Sequence, residues 1–251
     1  MNTITPDYKQ NPTTAADNII AFALGFAAGF FVLFIFYKLF AIAAIGGAIV
    51  GTANIFVTVH SAINRRLLKL RTQFFDLLEA MSVAMRAGNP MLKSLASAKK
   101  DLMLIYPADS DIIAELNLII GRFNNAVPLS ESFSELAERS GLEDITSFAT
   151  IYKTIEGKSG RADEIIRQTQ QIISEKMEIE MEIDTMMTAA KTEVKIMLFM
   201  PLVILGLIGY AGAGFMDAIY TTGAGRIVST AGLAVFAISF ILARKYSNVS
   251  L

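Results

Sequence analysis

Apolar positions follow two different patterns along this chain. Residues 19–37, IIAFALGFAAGFFVLFIFY, and 39–59, LFAIAAIGGAIVGTANIFVTV, are almost wholly apolar and hold no side chain that is charged at neutral pH. Each is long enough to cross a hydrocarbon layer of about 30 Å as a helix. Only Lys38 separates them. One unbroken helix through both would far exceed the bilayer, so the pattern predicts a tight hairpin turning near Tyr37 and Lys38. Toward the other end, IMLFMPLVILGLIGYAGAGFM at 196–216 and IVSTAGLAVFAISFILA at 227–243 repeat the pattern, joined by DAIYTTGAGR. Four membrane spans are predicted.

Between them the apolar residues thin out and become periodic. Residues 60–195 are mostly polar and long enough for one compact domain. Leu67, Leu70, Phe74, Leu78, Met81 and Met85 recur at intervals of three or four, the spacing of one helix face. Gly88 can close that helix in the left-handed conformation, and Asn89 and Pro90 suit the N-cap and first position of the next. Further boundaries are predicted before Pro107, at Asp109 or Ser110, at Val127 and Pro128, and at Gly141. EDITSFATIYKTIEG supplies a fifth helix, and Arg161 begins a sixth that meets no proline or glycine before Pro201. AGNPMLKSLASA at 87–98 echoes AVPLSESFSELA at 126–137: with Pro90 on Pro128, Ser94 aligns with Ser132 and Leu95 with Phe133.

The sixth helix contains a misleading stretch. Met177, Ile179, Met181 and Ile183 alternate with Glu178, Glu180, Glu182 and Asp184, as in a strand. Methionine and glutamate are good helix formers, however, and the flanking period through Ile166, Thr169, Ile173, Met177 and Met181 is helical. The expectation is a helix with two apolar stripes, through 177 and 181 and through 179 and 183, serving an ordinary bundle or a subunit contact. At roughly 1.5 Å per residue, 161–195 would extend about 50 Å and run into the third span.

The predicted fold class is therefore an all-α membrane protein, with four transmembrane helices and one cytoplasmic antiparallel six-helix bundle. The expected segments are an N-terminal tail at 1–18, a transmembrane hairpin at 19–59, the bundle at 60–195, a second hairpin at 196–243 and a tail at 244–251. The polar start, carrying Asp7, Lys9 and Asp17, is unlike a short basic leader, so the first span is read as retained.

Charge sets the expected orientation. Arg65, Arg66, Lys69 and Arg71 follow the second span and Arg244 and Lys245 the fourth, against Lys38 and Arg226 in the short connections. Basic flanks are retained on the cytoplasmic side, so the large segment and, by parity, both termini are expected there, in a multi-pass cell-membrane protein. A net charge of −1 gives no case for nucleic acid, and the basic run at 65–71 suits anionic headgroups of the lipid bilayer. The chain has no cysteine, which removes thiol catalysis, disulfides and thiolate metal sites.

Candidate chemistry is sparse. YKTIEGKSGRADEIIRQ at 152–168 contains Gly-Lys-Ser, but a phosphate-cradling loop needs a glycine five positions before Gly157, where Tyr152 stands, and a preceding strand. His60 is the only histidine and lies at a membrane edge, unsuited to a triad or a histidine zinc motif. Glu175, Glu178 and Glu182 share a helix face, read as a solvated acidic surface. GYAGAGFMD lacks the Gly-x-Gly-Asp of intramembrane aspartyl proteases, since Phe215 follows Gly214. The spans hold no charged residue to relay protons. No catalytic residue, metal site or cofactor is expected. The spans do offer packing chemistry: Gly25 and Gly29 form GxxxG in the first, Gly47 and Gly51 in the second, for packing within the chain or between copies.

In order, the helix ending MRAGNPMLKSL, the later VPLSESFSEL and the IEGKSGRADEII turn, with four spans around them, resemble the type II secretion system F-domain family. The short inner-membrane platform proteins of tight-adherence, or Flp, pilus machines are most similar. The resemblance covers residues 67–216, with one F-domain where longer members have two. It implies a non-enzymatic platform joining a cytoplasmic hexameric ATPase to pilin subunits, beside a paralogous platform protein or a second copy of itself. Under it, Gly157 and Gly160 end one bundle helix and admit the next, and Glu156, Lys158 and Arg161 are candidate partner contacts. The alternative is a membrane signalling protein using the long helix as a transmission rod. That would call for a sensor region, and the short outside connections supply no obvious one.

Overall fold

The computed structural model describes residues 7–8, 13–156, 162–211 and 220–247. Every regular element among them is a helix: α1 (Ala15–Tyr37), α2 (Phe40–Arg86), α3 (Met91–Ile105), α4 (Asp111–Asn124), α5 (Leu129–Ser140), α6 (Glu143–Ile155), α7 (Ala162–Ala211) and α8 (Gly223–Ser247). The protein is all-α, and four of its helices are long and apolar enough to cross a membrane: α1, α2, α7 and α8.

The boundaries have local causes. Asp17 accepts a hydrogen bond from the Thr14 N–H at 2.9 Å, so the first turn of α1 starts with a carboxylate at its positive end. Lys38 closes α1 in the left-handed region, φ 49°, donating its N–H to Phe34 O, and α2 begins two residues later. Gly88, at φ 82°, donates to Met85 O while Asn89 donates to Ala84 O, which ends α2. Pro90 and Pro128 are both N-caps, with extended backbone, of α3 and α5. Pro90 thus stands one position earlier relative to its helix than its sequence suggested. Gly141 closes α5 at φ 66°.

Two helices run through changes of composition. The chain between the second span and the first polar helix, VHSAINRRLLKL, contains neither proline nor glycine, and α2 continues through it for 47 residues. Helix α7 continues for 50 residues and contains Pro201. A proline lacks the N–H for the i→i−4 bond, yet such helices persist in spans, where neighbouring helices and local adjustments compensate.

The chain divides into two compact units, residues 1–12 with 61–179 and residues 13–60 with 180–251. The first, the helical body, has a hydrophobic core drawn from α2 through α7. Phe74 of α2, Phe133 of α5 and Phe148 and Tyr152 of α6 form an aromatic cluster in which Phe148 stands edge-on to Phe74 and Phe133, with centroids 5.5 and 5.1 Å apart. Leu95, Leu102, Ile112, Leu116 and Ile119 fill the space around α3 and α4. The echoed residues have matching burial: Ser94 and Ser132, Leu95 and Phe133 are all buried. Helix α7 contributes Thr169, Ile173 and Met177. Its stripe ends there, for Met181 is 61 % exposed and Ile179 58 %.

In the second, spanning unit, α1 and α2 pack closely through glycine. A Cβ on Gly51 would stand 3.0 Å from Phe22 O, and one on Gly47 would stand 3.0 Å from Phe26 O. On the facing helix, a Cβ on Gly25 would stand 3.0 Å from Gly51 Cα, and one on Gly29 3.2 Å from Gly47 Cα. Without side chains there the backbones approach closely. Asn54 donates its amide to Ala21 O at 2.7 Å across the same pair, giving a polar group in an apolar span the partner it needs.

Candidate functional site

The segment after α6 was the first candidate. Ile155 ends the helix and is buried, which brings Glu156 beside the start of α5. There Glu156 Oε1 accepts a hydrogen bond from the Ser130 N–H at 3.3 Å, occupying one of the donors that a helix N-terminus leaves without an intrahelical partner. The Tyr152 hydroxyl is pushed up to about 12 by burial and, secondarily, by the negative charge of Glu156. The other expected contacts and turns, Lys158, Arg161, Gly157 and Gly160, lie outside the described residues. The element before Gly-Lys-Ser is helix α6 rather than a strand, so the setting of a phosphate-binding loop is missing.

Charged side chains tie the helical body together, Arg122 of α4 to Glu135 of α5 among them, and two groups are the most buried. Glu115 on α4 is fully buried and takes a two-pronged contact from Arg139 on α5, both bonds 2.6 Å. The Tyr8 hydroxyl donates to Glu115 at 2.6 Å, and Tyr8 is itself fully buried. Arg66 on α2 lies over the Tyr8 ring, 5.1 Å from its centroid, and binds Asp111 through two hydrogen bonds of 2.7 and 3.0 Å. Burial, then the negative charge of Glu115, holds the Tyr8 hydroxyl protonated far above its ordinary range. Arg66 and Arg139 are raised chiefly by their hydrogen bonds to Asp111 and Glu115.

The second group centres on Asp144 of α6, which accepts from Arg71 of α2 and, at 3.1 Å, from Lys176 of α7. The Lys176 ammonium is raised mainly by that hydrogen bond. Helices α2, α6 and α7 are thereby linked through one carboxylate.

Sequence reading overlooked three of these residues. Tyr8 lay in what read as a polar tail, and nothing local marks it as a core residue. Glu115 sits on the apolar face of α4 with Ile112, Leu116 and Ile119, and an acidic residue on such a face was a usable sign of a buried ion pair. Asn54, a polar side chain inside an apolar run, was another. His60 is exposed, as are Glu175, Glu178 and Glu182. No cluster able to hold a metal occurs among the described residues.

The described residues form a charge-braced helical body, with α2 and α7 each continuing into an apolar run of membrane-spanning length. Comparison with known families agrees: the model for type II secretion system (T2SS), protein F, matches residues 77–209. The chain belongs to the T2SS protein F family. The match takes in the body from the last turns of α2 onward and all but the end of α7. No curated protein and no solved structure matches. Proteins of the T2SS F family are membrane platform proteins of secretion and pilus machinery, working with an ATPase and other platform components. Family and apolar helices together place this chain in the inner membrane.

Proposed function

We propose that this T2SS F-family protein is the platform of a tight-adherence, Flp-like pilus or of a type II secretion machine. In this reading the chain makes and breaks no bonds. Residues 60–195 and both termini lie in the cytoplasm, a hexameric secretion ATPase engages the helical body, and pilin subunits are raised into a fibre at the spans, beside a paralogous platform protein or a second copy.

The course of α7 is the observation that carries the proposal. It is one helix whose Ile173 and Met177 are buried in the core of the body and whose later residues form a span-length apolar run. A continuous helix resists bending and twisting, whereas a flexible linker would dissipate a displacement. Glu156, Lys158 and Arg161 are the proposed ATPase contacts, because they are the charged residues in the sequence between α6 and α7. Gly157 and Gly160 are the proposed turn formers there.

The test is co-purification of the full-length protein in detergent with secretion ATPases and pilins, together with one glycine inserted after Ala189. The insertion rotates everything beyond it by about a quarter turn and weakens the helix. ATPase and pilin should be retained while fibre assembly stops. Fibres assembled normally by the insertion variant would eliminate stiff transmission, and reporter fusions placing 60–195 outside the cell would eliminate the ATPase contact altogether. Lys158→Glu combined with Arg161→Glu should release the ATPase and leave pilin bound.

A further inference from the structure

The spanning unit holds a partly open cavity that the platform reading does not use. Ile35 and Phe36 at the end of α1, Leu198 and Pro201 on α7, and Gly232 and Phe236 on α8 surround a volume of about 480 Å³. That lies within the roughly 300–1,000 Å³ of pockets that hold small molecules. Among the described residues the lining is apolar apart from Tyr220, Ser229 and Ser239. Gly232 faces Phe36 across it, where an added Cβ would sit in ordinary contact at 3.7 Å and only a larger side chain would fill the space.

One edge of the cavity is positively charged. The Tyr220 hydroxyl donates to Ile35 O at 2.8 Å, occupying one of the carbonyls that the end of α1 cannot pair within its own helix. Two cations then meet at Tyr220. Lys38 Nζ is 4.7 Å from the ring centroid, and Arg226 Nε donates to the Tyr220 carbonyl at 3.4 Å. The left-handed backbone of Lys38, which ends α1, brings its side chain to this edge. No carboxylate among the described residues forms an ion pair with either cation.

We propose that this cavity binds one anionic phospholipid, with an acyl chain between α1, α7 and α8 and the phosphate at Lys38 and Arg226. The apolar lining belongs to helices of membrane-spanning length, so acyl chains are the molecules available to fill it. The two cations then select a negative headgroup. A spanning helix from a second copy would match the apolar wall but supply no counter-charge, because none of the four apolar runs carries a carboxylate.

The experiment is native mass spectrometry of the full-length protein in detergent, titrated separately with phosphatidylglycerol and with phosphatidylcholine bearing the same acyl chains. Phosphatidylglycerol should bind more tightly. Lys38→Asn, which suits a left-handed backbone, and Arg226→Gln should each weaken it about fivefold and leave phosphatidylcholine unchanged. Gly232→Leu should weaken both lipids by filling the cavity. Ser239→Phe does the same from another wall, should the first variant fail to fold. Equal affinity for the two lipids, or charge variants without effect, would overturn the headgroup assignment. Charge selectivity that survives both cavity-filling variants would overturn the acyl-chain seat. A delipidated dimer that Gly232→Leu converts to monomer, with lipid binding unchanged, would assign the cavity to a second copy instead.

Discussion

The two units of this protein keep their helices together by opposite means. The helical body behaves like a water-soluble domain: its large side chains, Phe74, Phe133 and Phe148 among them, are buried, and its charges are paired across helices. In the spanning unit large apolar residues face outward, as with Phe31 at 63 % exposure and Phe56 at 78 %, while glycines occupy the contact between α1 and α2. The difference follows from the surroundings. Water drives large apolar groups together. Lipid does not distinguish leucine on a helix surface from leucine in a contact, so there small residues and close backbone packing have to hold helices together. One chain meets both requirements because α2 and α7 change composition without changing conformation.

The contrast predicts where substitutions will be felt. The largest loss is expected for Glu115→Ala, which removes both short hydrogen bonds that Arg139 makes in a mostly buried site, leaving it Glu135 at 4.0 Å, and takes away the Tyr8 acceptor. Breaking a buried pair costs about 3–5 kcal/mol. Thermal unfolding of the detergent-solubilised protein, followed by circular dichroism, should show a clear drop, and a near-wild-type midpoint would mean the pair is not a brace. Phe148→Ala should lie in the same range, about 3–5 kcal/mol.

In the spanning unit the sensitive positions are the small ones. Gly51→Val drives a branched side chain against the Phe22 ring and carbonyl, and overpacking of this kind costs about 1–3 kcal/mol. Its signature should be increased protease or label access in the α1–α2 pair, with the body's core unaffected. An unchanged α1–α2 pair would show that the close approach there can relax freely.

Alkaline pH should weaken the body. Tyr106 and Tyr152 are raised from 10.0 to about 12, each first by burial, and Tyr8 and Lys176 are raised as well. All four hold their protons more tightly in the folded protein than in the unfolded chain. Their contribution is therefore complete below pH 10 and lost as pH rises through the folded values. Phenolate absorbance during a titration should show part of the tyrosine signal delayed until unfolding. Ordinary titration of all tyrosines in the folded protein would contradict the assignment.

The smallest effect is expected at Ile179. This residue reads as core from its alternating neighbours but is largely exposed, so Ile179→Ser should change stability by no more than about 0.5 kcal/mol. A larger loss in the assembled protein, absent from the isolated chain, would identify this stripe as a subunit contact.

Much of the architecture was legible because its determinants are local. Uninterrupted apolar runs, the punctuation at Gly88, Pro90, Pro128 and Gly141, and three-and-four spacing settle the helices and most of their ends without knowledge of any neighbour. The helix preference through 177–183 was also local, and methionine and glutamate decided it against the alternating pattern. The candidate contacts were less legible. Glu156 was noticed for its position beside a turn, whereas its hydrogen bond to Ser130 depends on where α5 begins in space.

The sequence by itself thus determined that the protein is helical, that four of its helices suit a membrane and that its polar middle folds around a periodic core. It also carried the family resemblance, since the order of elements is written along one dimension. Only the tertiary structure decided that Tyr8 belongs to the core of the body, that Glu115 and Asp144 are shared acceptors, and that Lys38 and Arg226 meet at Tyr220. Each of these depends on side chains far apart in sequence arriving within a few ångströms of one another, and neither hydropathy nor periodicity encodes that distance.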